Sequence, residues 1–322
     1  MENTVNVLEK NLNTPTSGFN LDVKKEERKS KIAKITTQTI TYIFLTMVAI
    51  FSFLPFYWMI ISSLKGEPEF RASVPTFFPM EGIRWDNYSF VISYKESLFT
   101  TSLINTLIVG ALSTVLGVIV VIISAYAFAR LEFKGKNLLF SLMLATMMIP
   151  GELFTTTNYI SVGPGGLFGQ EGLRDTYTVL IIPFLVSFYY IYLLRNAFMQ
   201  IPDSLYQAAK VDGCSDMGYL VKVMVPLTAP TLISITLLKF IGIWNSYIWP
   251  RLVNKNQEWQ LISNWVTMGF TDSKDVLGYH YSESLNVLKM AAACMVTLPL
   301  FVLFICFRKY IMTGVSKSGT KG

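Results

Sequence analysis

Long apolar runs without a charged residue constrain the fold of this chain more than any other feature. Ser102–Ala129 holds 28 consecutive uncharged residues, and Ile40–Ile61 holds 22. A helix needs about 20 apolar residues to cross the hydrocarbon core of a bilayer. Strands of a membrane barrel would instead alternate polar and apolar residues over about 10 positions. We therefore expect an all-α integral membrane protein.

The composition excludes most other classes of protein. Of the 322 residues, 52% are hydrophobic and 15% are charged, and the mean hydropathy is +0.44, whereas soluble domains carry about 25% charged residues. The net charge of +6 requires no nucleic-acid partner, because membrane proteins gather Lys and Arg on their cytoplasmic side. His280 is the only histidine and the three cysteines lack metal-ligand spacing, so we expect neither a metal nor a cofactor.

Six segments are apolar enough for transmembrane helices. They are Ile40–Ile61, Ser102–Ala129, Asn137–Gly151, Thr176–Leu194, Pro226–Pro250 and Asn286–Phe307. The third segment is the least certain span, because its apolar character continues only weakly past Pro150-Gly151-Glu152 toward Tyr159. Six spans put both termini on the same side of the membrane.

The distribution of Lys and Arg predicts which side that is. With the amino terminus inside, 17 of the 27 Lys and Arg residues fall in cytoplasmic segments and 8 in external ones, and such an excess marks the cytoplasmic side. We expect a polar cytoplasmic tail at 1–36, disordered as far as Ser30, a transmembrane domain at 37–310 and a cytoplasmic tail at 311–322. The chain is then a multi-pass protein of the cell membrane.

The sequence contains no motif for ATP hydrolysis. A G-x-x-x-x-G-K-[ST] phosphate loop is missing, as are H-E-x-x-H and G-x-S-x-G. We therefore expect that the chain is not an enzyme. Energy for any transport would come from a partner protein or from an ion gradient.

The segment at 195–225, between the fourth and fifth predicted spans, carries the signals of a short helix. Pro202 suits a helix start, Asp203 favours the positive end of the helix dipole, and Gly213 suits the left-handed residue that ends a helix. Four residues then share one mostly small face: Leu205, Ala208, Ala209 and Asp212. Such a face lets the backbone of another protein approach closely. An amphipathic linker lying on the bilayer would show the same pattern.

The spacing within this segment is that of a known signature. Gln207-Ala208-Ala209 is followed after three residues by Gly213, and after nine more by Val223-Met224-Val225-Pro226. This pattern resembles the E-A-A, G and I-x-L-P signature in the cytoplasmic loop of permease subunits of bacterial ABC importers. Gln207 replaces the usual Glu, so the resemblance implies a hydrogen bond to the ATPase at that position rather than a salt bridge.

Further short motifs follow one another in order at the spacing of that family. They are Trp85-Asp86-Asn87-Tyr88, Asn105-Thr106-Leu107, Ala125-Tyr126-Ala127-Phe128-Ala129-Arg130, Met148-Ile149-Pro150, Gly172-Leu173-Arg174-Asp175-Thr176-Tyr177, Leu193-Leu194-Arg195, Trp244-Asn245-Ser246-Tyr247 and the C-terminal Lys317-Ser318-Gly319-Thr320-Lys321-Gly322. Together they resemble the carbohydrate branch, with maltose-type permeases, of the binding-protein-dependent transport inner-membrane components. The resemblance covers roughly residues 37–322.

The resemblance implies a set of partners and a mechanism. Two permease subunits, expected to be a heterodimer, form the pathway for a sugar or an oligosaccharide. Two copies of a cytoplasmic ABC ATPase bind beneath them, and an external or periplasmic solute-binding protein delivers the substrate. The helix at 203–213 would lie in a groove of one ATPase. There Leu205, Ala208 and Ala209 would give close contact, Gln207 a polar contact, and Asp212 with Gly213 the cap and turn.

Two polar residues of the fifth span are candidates for lining the pathway. A charge such as Lys239 near the middle of a span costs about 2.5–3.5 kcal/mol on insertion scales, so Lys239 should face protein or water. It would line the pathway or pair with a carboxylate or carbonyl of the partner permease. Asn245 could bond sugar hydroxyls, or belong with its aromatic neighbours to an ordinary interfacial belt.

A self-contained secondary transporter or channel is the alternative function. It fits six spans and Lys239, but leaves the pattern at 195–225 unexplained. A membrane enzyme is a weaker alternative, because candidate nucleophiles and bases are not clustered in the sequence.

Overall fold

The structure, a computed structural model, describes residues 17–93, 98–169, 171–268 and 286–316. Within these ranges the chain forms helices joined by turns and no β-strand, which confirms the all-α prediction. Residues 1–16 of the predicted tail, the external segment 269–285 with His280, and the C-terminal motif at 317–322 lie outside the described residues.

Fifteen α-helices are present in the part of the chain that the structure describes. They are α1 (Ser17–Ser63), α2 (Glu67–Phe70), α3 (Asp86–Ser93), α4 (Phe99–Arg130), α5 (Lys136–Thr146), α6 (Leu153–Ser161), α7 (Tyr177–Ile181), α8 (Phe188–Met199), α9 (Asp203–Val211), α10 (Asp216–Tyr219), α11 (Val225–Leu227), α12 (Ala229–Trp244), α13 (Ile248–Val253), α14 (Ile262–Met268) and α15 (Asn286–Ser316). A π-helical turn at Leu220–Met224 joins α10 to α11, and 3₁₀ turns occupy Ile182–Phe184 and Gln257–Trp259.

The chain divides into two compact units, residues 1–58 and residues 59–322. The described part of the first unit is helix α1 as far as Trp58. This helix begins at Ser17, inside the segment 1–36, and the disorder expected in that segment stays a prediction. Residues 24–29 are all Lys, Glu or Arg, which are good helix formers, and no Gly or Pro interrupts the chain between Gly18 and Pro55. The helix therefore extends well into the polar tail.

Three helices are long and apolar enough to cross a membrane: Arg28–Ser63 within α1, all of α4, and Asn286–Tyr310 within α15. Two bent pairs raise the number to five. Tyr177–Phe184 meets α8 at 46°, and Asp216–Leu227 meets α12 at 82°. A proline, which lacks the N–H of other residues, lies within two residues of each break. The described residues thus hold three to five candidate spans, compared with six predicted.

The segment predicted as the third span forms two short helices. Helix α5 ends at Thr146 and α6 begins at Leu153, and neither has the roughly 20 residues that a span needs. Pro150-Gly151 lies between them, where Pro supplies no N–H and Gly disfavours a helix.

Helix α4 is the central element of the second unit. Its C-terminal half packs in one buried cluster with α8, α10 and α12. Its N-terminal half borders two others, one around Trp244 and Trp265, the second around Val179 and Trp249. Small buried side chains along α4 permit these close contacts. The 195–225 segment lies against the first cluster, which fixes its position relative to α4.

Candidate functional site

Helix α9 begins where the sequence predicts. Pro202 precedes it in extended conformation (φ −60°, ψ 141°), and its carbonyl accepts from the N–H of Leu205 at 3.2 Å. Asp203 places a carboxylate in the first turn, where the helix dipole favours negative charge. The helix then runs for 9 residues to Val211.

The end of α9 is a Schellman motif. Gly213 has φ +73°, its N–H donates to the carbonyl of Lys210 at 3.1 Å, and the N–H of Cys214 donates to the carbonyl of Ala209 at 2.9 Å. These two bonds satisfy carbonyls that a helix end otherwise leaves unpaired. Asp212 is the C-cap. A left-handed residue at position 213 explains why glycine is placed there.

The outer face of α9 differs from the face predicted from the sequence. Ala209 is half-buried and packs with Tyr206 against the cluster below, whereas Leu205, Ala208 and Asp212 are exposed. The fully outward stripe has the spacing i, i+3, i+4, i+7 and consists of Ser204, Gln207, Ala208 and Val211. The shift arises because Tyr206 and Ala209 supply the inner contacts. Gln207 and Ala208 remain available to a partner.

A carboxylate outside the helix holds α9 in place. Oδ1 of Asp216, at the start of α10, accepts from Tyr206 Oη at 2.9 Å and from Lys210 Nζ at 2.9 Å. It also accepts from Oη of Tyr126, near the end of α4, at 3.3 Å. We call Tyr126, Tyr206, Lys210 and Asp216 the latch. The hydrogen bond to Asp216 raises the pKa of Lys210, so Lys210 is cationic at neutral pH.

A second link joins the first turn of α9 to the end of α4. The guanidinium of Arg130 pairs with Asp203 Oδ1 and donates to the carbonyls of Ile201 at 2.6 Å and Phe198 at 3.3 Å. Since Arg presents several donors in a fixed plane, one side chain can hold the last carbonyls before α9 together with its first acidic residue. Both ends of α9 are thus tied to the same end of α4.

A groove of about 460 Å³ runs beside α9. Leu205 lies on its wall, which places this predicted contact residue between the outer face and the groove. The remaining lining residues come from the ends of α8, α11, α12 and α15 and the turns beside them: Ala197, Gln200, Ile201, Pro202, Leu227, Thr228, Pro230, Thr231, Lys309 and Tyr310.

Lys239 lies buried between three helical segments. Lys239 is only 5% exposed, and its Nζ donates to the carbonyl of Phe184 at 2.7 Å. That carbonyl belongs to the 3₁₀ turn before the 46° bend. Gly117 of α4 makes room for the crossing, because a Cβ there would lie 2.1 Å from Lys239 Cε. Lys239 thus bonds a carbonyl of its own chain, whereas the predicted pairing was with the partner permease; that pairing and the role in lining the pathway stay predictions.

Asn245 caps the C-terminus of α12 and is exposed. It is followed by the break before α13, so the predicted fifth span is interrupted at this point. Lys239 is buried against Phe184 whereas Asn245 is exposed, so the two candidates lie in different surroundings.

The latch was not identified from the sequence. Lys210 and Asp216 are six residues apart and lie on different helices, and Tyr126 is 90 residues from Asp216. No periodicity links such residues. The only available signal was that Tyr126 and Arg130 belong to one of the motifs noted above.

The chain matches known proteins over most of its length. The family model of the binding-protein-dependent transport system inner membrane component matches residues 117–317, which include α9 and the latch residue Asp216. The chain is 31% identical over 282 residues to the trehalose transport system permease protein SugB of Mycobacterium tuberculosis, covering 86% of this chain and 95% of that one. It is 27% identical over 282 residues to the arabinooligosaccharides transport system permease protein AraQ of Bacillus subtilis, covering 87% and 94%.

Among solved structures, the fold is similar to a chain in the crystal structure of a bacterial ABC transporter involved in the import of the acidic polysaccharide alginate. The TM-score is 0.74 at 24% identity, covering 88% of this chain and 98% of that chain. At this identity the likeness concerns the fold.

Proposed function

The chain belongs to the family of binding-protein-dependent transport system inner membrane components, and we propose that it is one permease subunit of an ATP-driven importer of a sugar or an oligosaccharide. It works with a second permease subunit, two copies of a cytoplasmic ABC ATPase and a solute-binding protein on the far side of the membrane. The names of its relatives, which include trehalose and arabinooligosaccharide permeases, support a carbohydrate as the substrate. The chain is not itself an enzyme.

The exposed stripe of α9 is the observation that carries this proposal. Gln207 and Ala208 face outward on a helix that is bonded at both ends to α4. A partner that displaces this helix would therefore displace α4 as well. When ATP closes the ATPase dimer, α9 moves with it, and the pathway switches its open side. Ala208 gives the close approach and Gln207 the hydrogen bond. Asp212 and Gly213 shape the end of the helix.

For the membrane topology we propose six spans with both termini in the cytoplasm. The bias of 17 to 8 in Lys and Arg supports this orientation. Helices α5 and α6 together supply the third span, broken at Pro150-Gly151. A broken helix is tolerated at membrane depth where neighbouring protein or a water-filled cavity receives its free backbone groups. Asn245, exposed at another such break, remains the candidate for a contact with the substrate.

Replacing Ala208 by Arg tests the docking of the ATPase. The side chain points outward, so the substitution should leave the fold intact while blocking close approach of a partner. We expect the affinity for the ATPase to fall at least about tenfold, which corresponds to about 1.4 kcal/mol. The measurement is the amount of ATPase that co-purifies with the chain from solubilised membranes. Ala209 is a poorer probe, because a large group there would also disturb the cluster below.

Glu132→Arg is the matched control. Its side chain is 93% exposed, on the loop that joins α4 to α5, at the same end of α4 as α9. ATPase should co-purify normally with this variant. Equal recovery of ATPase with Ala208→Arg and with the control would refute docking at α9.

The alternative, a self-contained secondary transporter, makes the opposite prediction. Vesicles that contain this chain alone would accumulate substrate when given a proton or sodium gradient. We expect no such uptake, and uptake only when the ATPase and ATP are both present inside the vesicles.

A further inference from the structure

Helices α4 and α12 approach closely because α4 has glycine at two places on the face that it turns to α12. A Cβ at Gly110 would lie 2.8 Å from the ring of Phe240, and a Cβ at Gly117 would lie 2.1 Å from Lys239 Cε. Since Phe240 and Lys239 are neighbours in α12, the two glycines mark the line of contact. Residues three or four positions from both glycines share this face of α4.

Two hydroxyls lie on this face, about one helical turn from each glycine. They belong to Ser113, which is fully buried, and to Thr114, which is 4% exposed. Neither hydroxyl oxygen has a hydrogen-bond partner among the described residues. Buried polar groups in native proteins are nearly always paired, so the two exceptions require a physical explanation.

The usual way in which a helix satisfies a hydroxyl is not used at either position. Thr106 of α4 donates to the carbonyl of Ser102 at 2.7 Å, and Thr236 of α12 donates to the carbonyl of Leu232 at 2.8 Å, each four positions back in its own helix. Water cannot serve instead, because Ser113 is fully enclosed by protein. A partner must therefore come from a neighbouring side chain that can move.

Lys239 brings unused donors to the same face of α4. An ammonium has three N–H donors, and among the described residues only the carbonyl of Phe184 accepts from Nζ. Nζ lies beside Gly117, since a Cβ there would be 2.6 Å from it. Ser113 is four residues back, which is about 6 Å along the helix. The flexible four-carbon stem of a lysine lets the ammonium cover such a distance.

We propose that Ser113 and Thr114 are positioning residues of the transport cycle, whose hydroxyl oxygens accept from the ammonium of Lys239 when it leaves the carbonyl of Phe184. One acceptor replaces another, so the two positions differ little in free energy, as a switching element requires. Moving the ammonium frees the carbonyl at the 46° bend, and the bent α7–α8 pair can then change its angle against α4. This inference rests on the proposed function, in which α4 moves when ATP closes the ATPase dimer.

Two double variants at these positions test the role of the hydroxyls. Ser113→Ala/Thr114→Val removes both hydroxyls, whereas Ser113→Thr/Thr114→Ser exchanges them between the sites and keeps both. Each variant is reconstituted in phospholipid vesicles with its co-purifying subunits, and ATP hydrolysis is measured as the release of inorganic phosphate. The resistance of each purified chain to unfolding is measured as SDS is added to detergent micelles.

We expect the variant without hydroxyls to hydrolyse ATP about tenfold more slowly, because losing a hydrogen bond to a charged group shifts an equilibrium by at least that factor. Its resistance to SDS should stay equal or rise, since an unpaired buried polar group has been removed. The exchange variant should match the unmodified complex in both measurements. Unchanged hydrolysis without the hydroxyls would overturn the proposal. Lower resistance to SDS would overturn it too, because the hydroxyls would then already have partners.

The reach of the ammonium is tested separately with Ser113→Asp, by determining the structure of the variant. A carboxylate at position 113 should draw the ammonium away from Phe184, so Nζ of Lys239 should lie beside the new carboxylate. An ammonium that stays on the carbonyl of Phe184 would show that position 113 is out of reach and would overturn the proposal. This result does not depend on ATP hydrolysis, whereas a lack of hydrolysis by the unmodified complex would contradict the proposed function itself.

Discussion

The contact between Gly117 and Lys239 allows a substitution effect to be predicted in both sign and size. In Gly117→Ala the new Cβ would lie 2.1 Å from Lys239 Cε, 2.6 Å from Nζ and 3.1 Å from the carbonyl oxygen of Leu185. The lysine side chain must therefore move by more than 1 Å to reach ordinary van der Waals distance. Such a movement breaks the 2.7 Å bond from Nζ to Phe184.

The size follows from two opposing effects. A hydrogen bond made by a charged group contributes about 1.5–3 kcal/mol to stability. Replacing Gly by Ala within a helix returns up to about 1 kcal/mol. We therefore expect Gly117→Ala to lower the free energy of unfolding by about 0.5–2 kcal/mol. In a Lys239→Leu background there is no ammonium to displace, so the same substitution should be neutral or stabilising by up to about 1 kcal/mol.

The assay is a double-mutant cycle on the purified chain, with unfolding followed as SDS is added to detergent micelles. Gly242→Ala is the matched control, because a Cβ at Gly242 in α12 meets no atom within 4 Å. That variant should be as stable as the unmodified chain or slightly more stable. The reasoning is refuted if Gly117→Ala has the same effect with Lys239 as with Leu at that position.

Three further predictions concern other parts of the second unit. Asp216→Asn removes the ion pair to Lys210, whose partners are both partly exposed, so it should change stability little. Because it loosens the latch, we expect normal assembly with the ATPase but fewer sugars carried per ATP, measured as the ratio of the two rates in vesicles. In Gly213→Ala the new Cβ meets no atom within 4 Å, but the alanine must adopt the left-handed φ of +73°. The substitution should therefore lower the free energy of unfolding by about 1–2 kcal/mol, and Gly213→Asn should lower it by less. Within the 64–85 loop, Glu69 Oε1 accepts from Thr76 Oγ1 at 2.7 Å and from the N–H of Met80 at 2.9 Å. The folded-state pKa of Glu69 lies below 4.5, so the carboxylate stabilises the 64–85 loop fully above that pH, and this stabilisation is lost as the pH falls through the folded-state value. At neutral pH the loop should therefore resist protease better in the unmodified chain than in the Glu69→Gln variant. The difference between the two proteins should shrink on acidification below 4.5.

Local features of the fold could be predicted from the sequence because neighbouring residues determine them. A run of 28 uncharged residues predicts α4, and α4 extends only a few residues beyond that run at each end. Pro202 and Gly213 predict the two ends of α9, since the conformations they favour are those needed there. The roles of Gln207 and Ala208 toward an ATPase stay predictions.

Contacts between distant residues could not be predicted in this way. Lys239 was expected to find a partner, but the carbonyl it uses lies 55 residues away, at a bend the sequence did not indicate. The same applies to the face of α9. Helical spacing groups Ala209 with Ala208, but which of the two points inward depends on where Tyr206 finds Asp216. The six spans stay a prediction, because hydropathy does not detect the breaks that leave three to five candidate spans among the described residues.

Helix α4 provides a physical route by which a movement of α9 can displace residues at the other end of the second unit. Its 32 residues form a rod about 48 Å long. At the C-terminal end Tyr126 and Arg130 bind the α9 region. Near the N-terminal end Asn105 donates to the carbonyls of Glu258 at 2.7 Å and Gln260 at 3.2 Å and accepts from Tyr177 Oη at 2.8 Å.

A rod bonded at both ends transmits a displacement without a chain of side-chain rearrangements between them. Coupling of two sites requires only that both bias one element with two positions. The hydrogen bond from Lys239 to Phe184, which we call the tie, crosses α4 at Gly117, near the middle of the rod. It therefore restricts how α4 can turn against the bent α7–α8 pair. It follows that loosening the latch should uncouple ATP hydrolysis from transport, whereas loosening the tie at Gly117 should first affect stability.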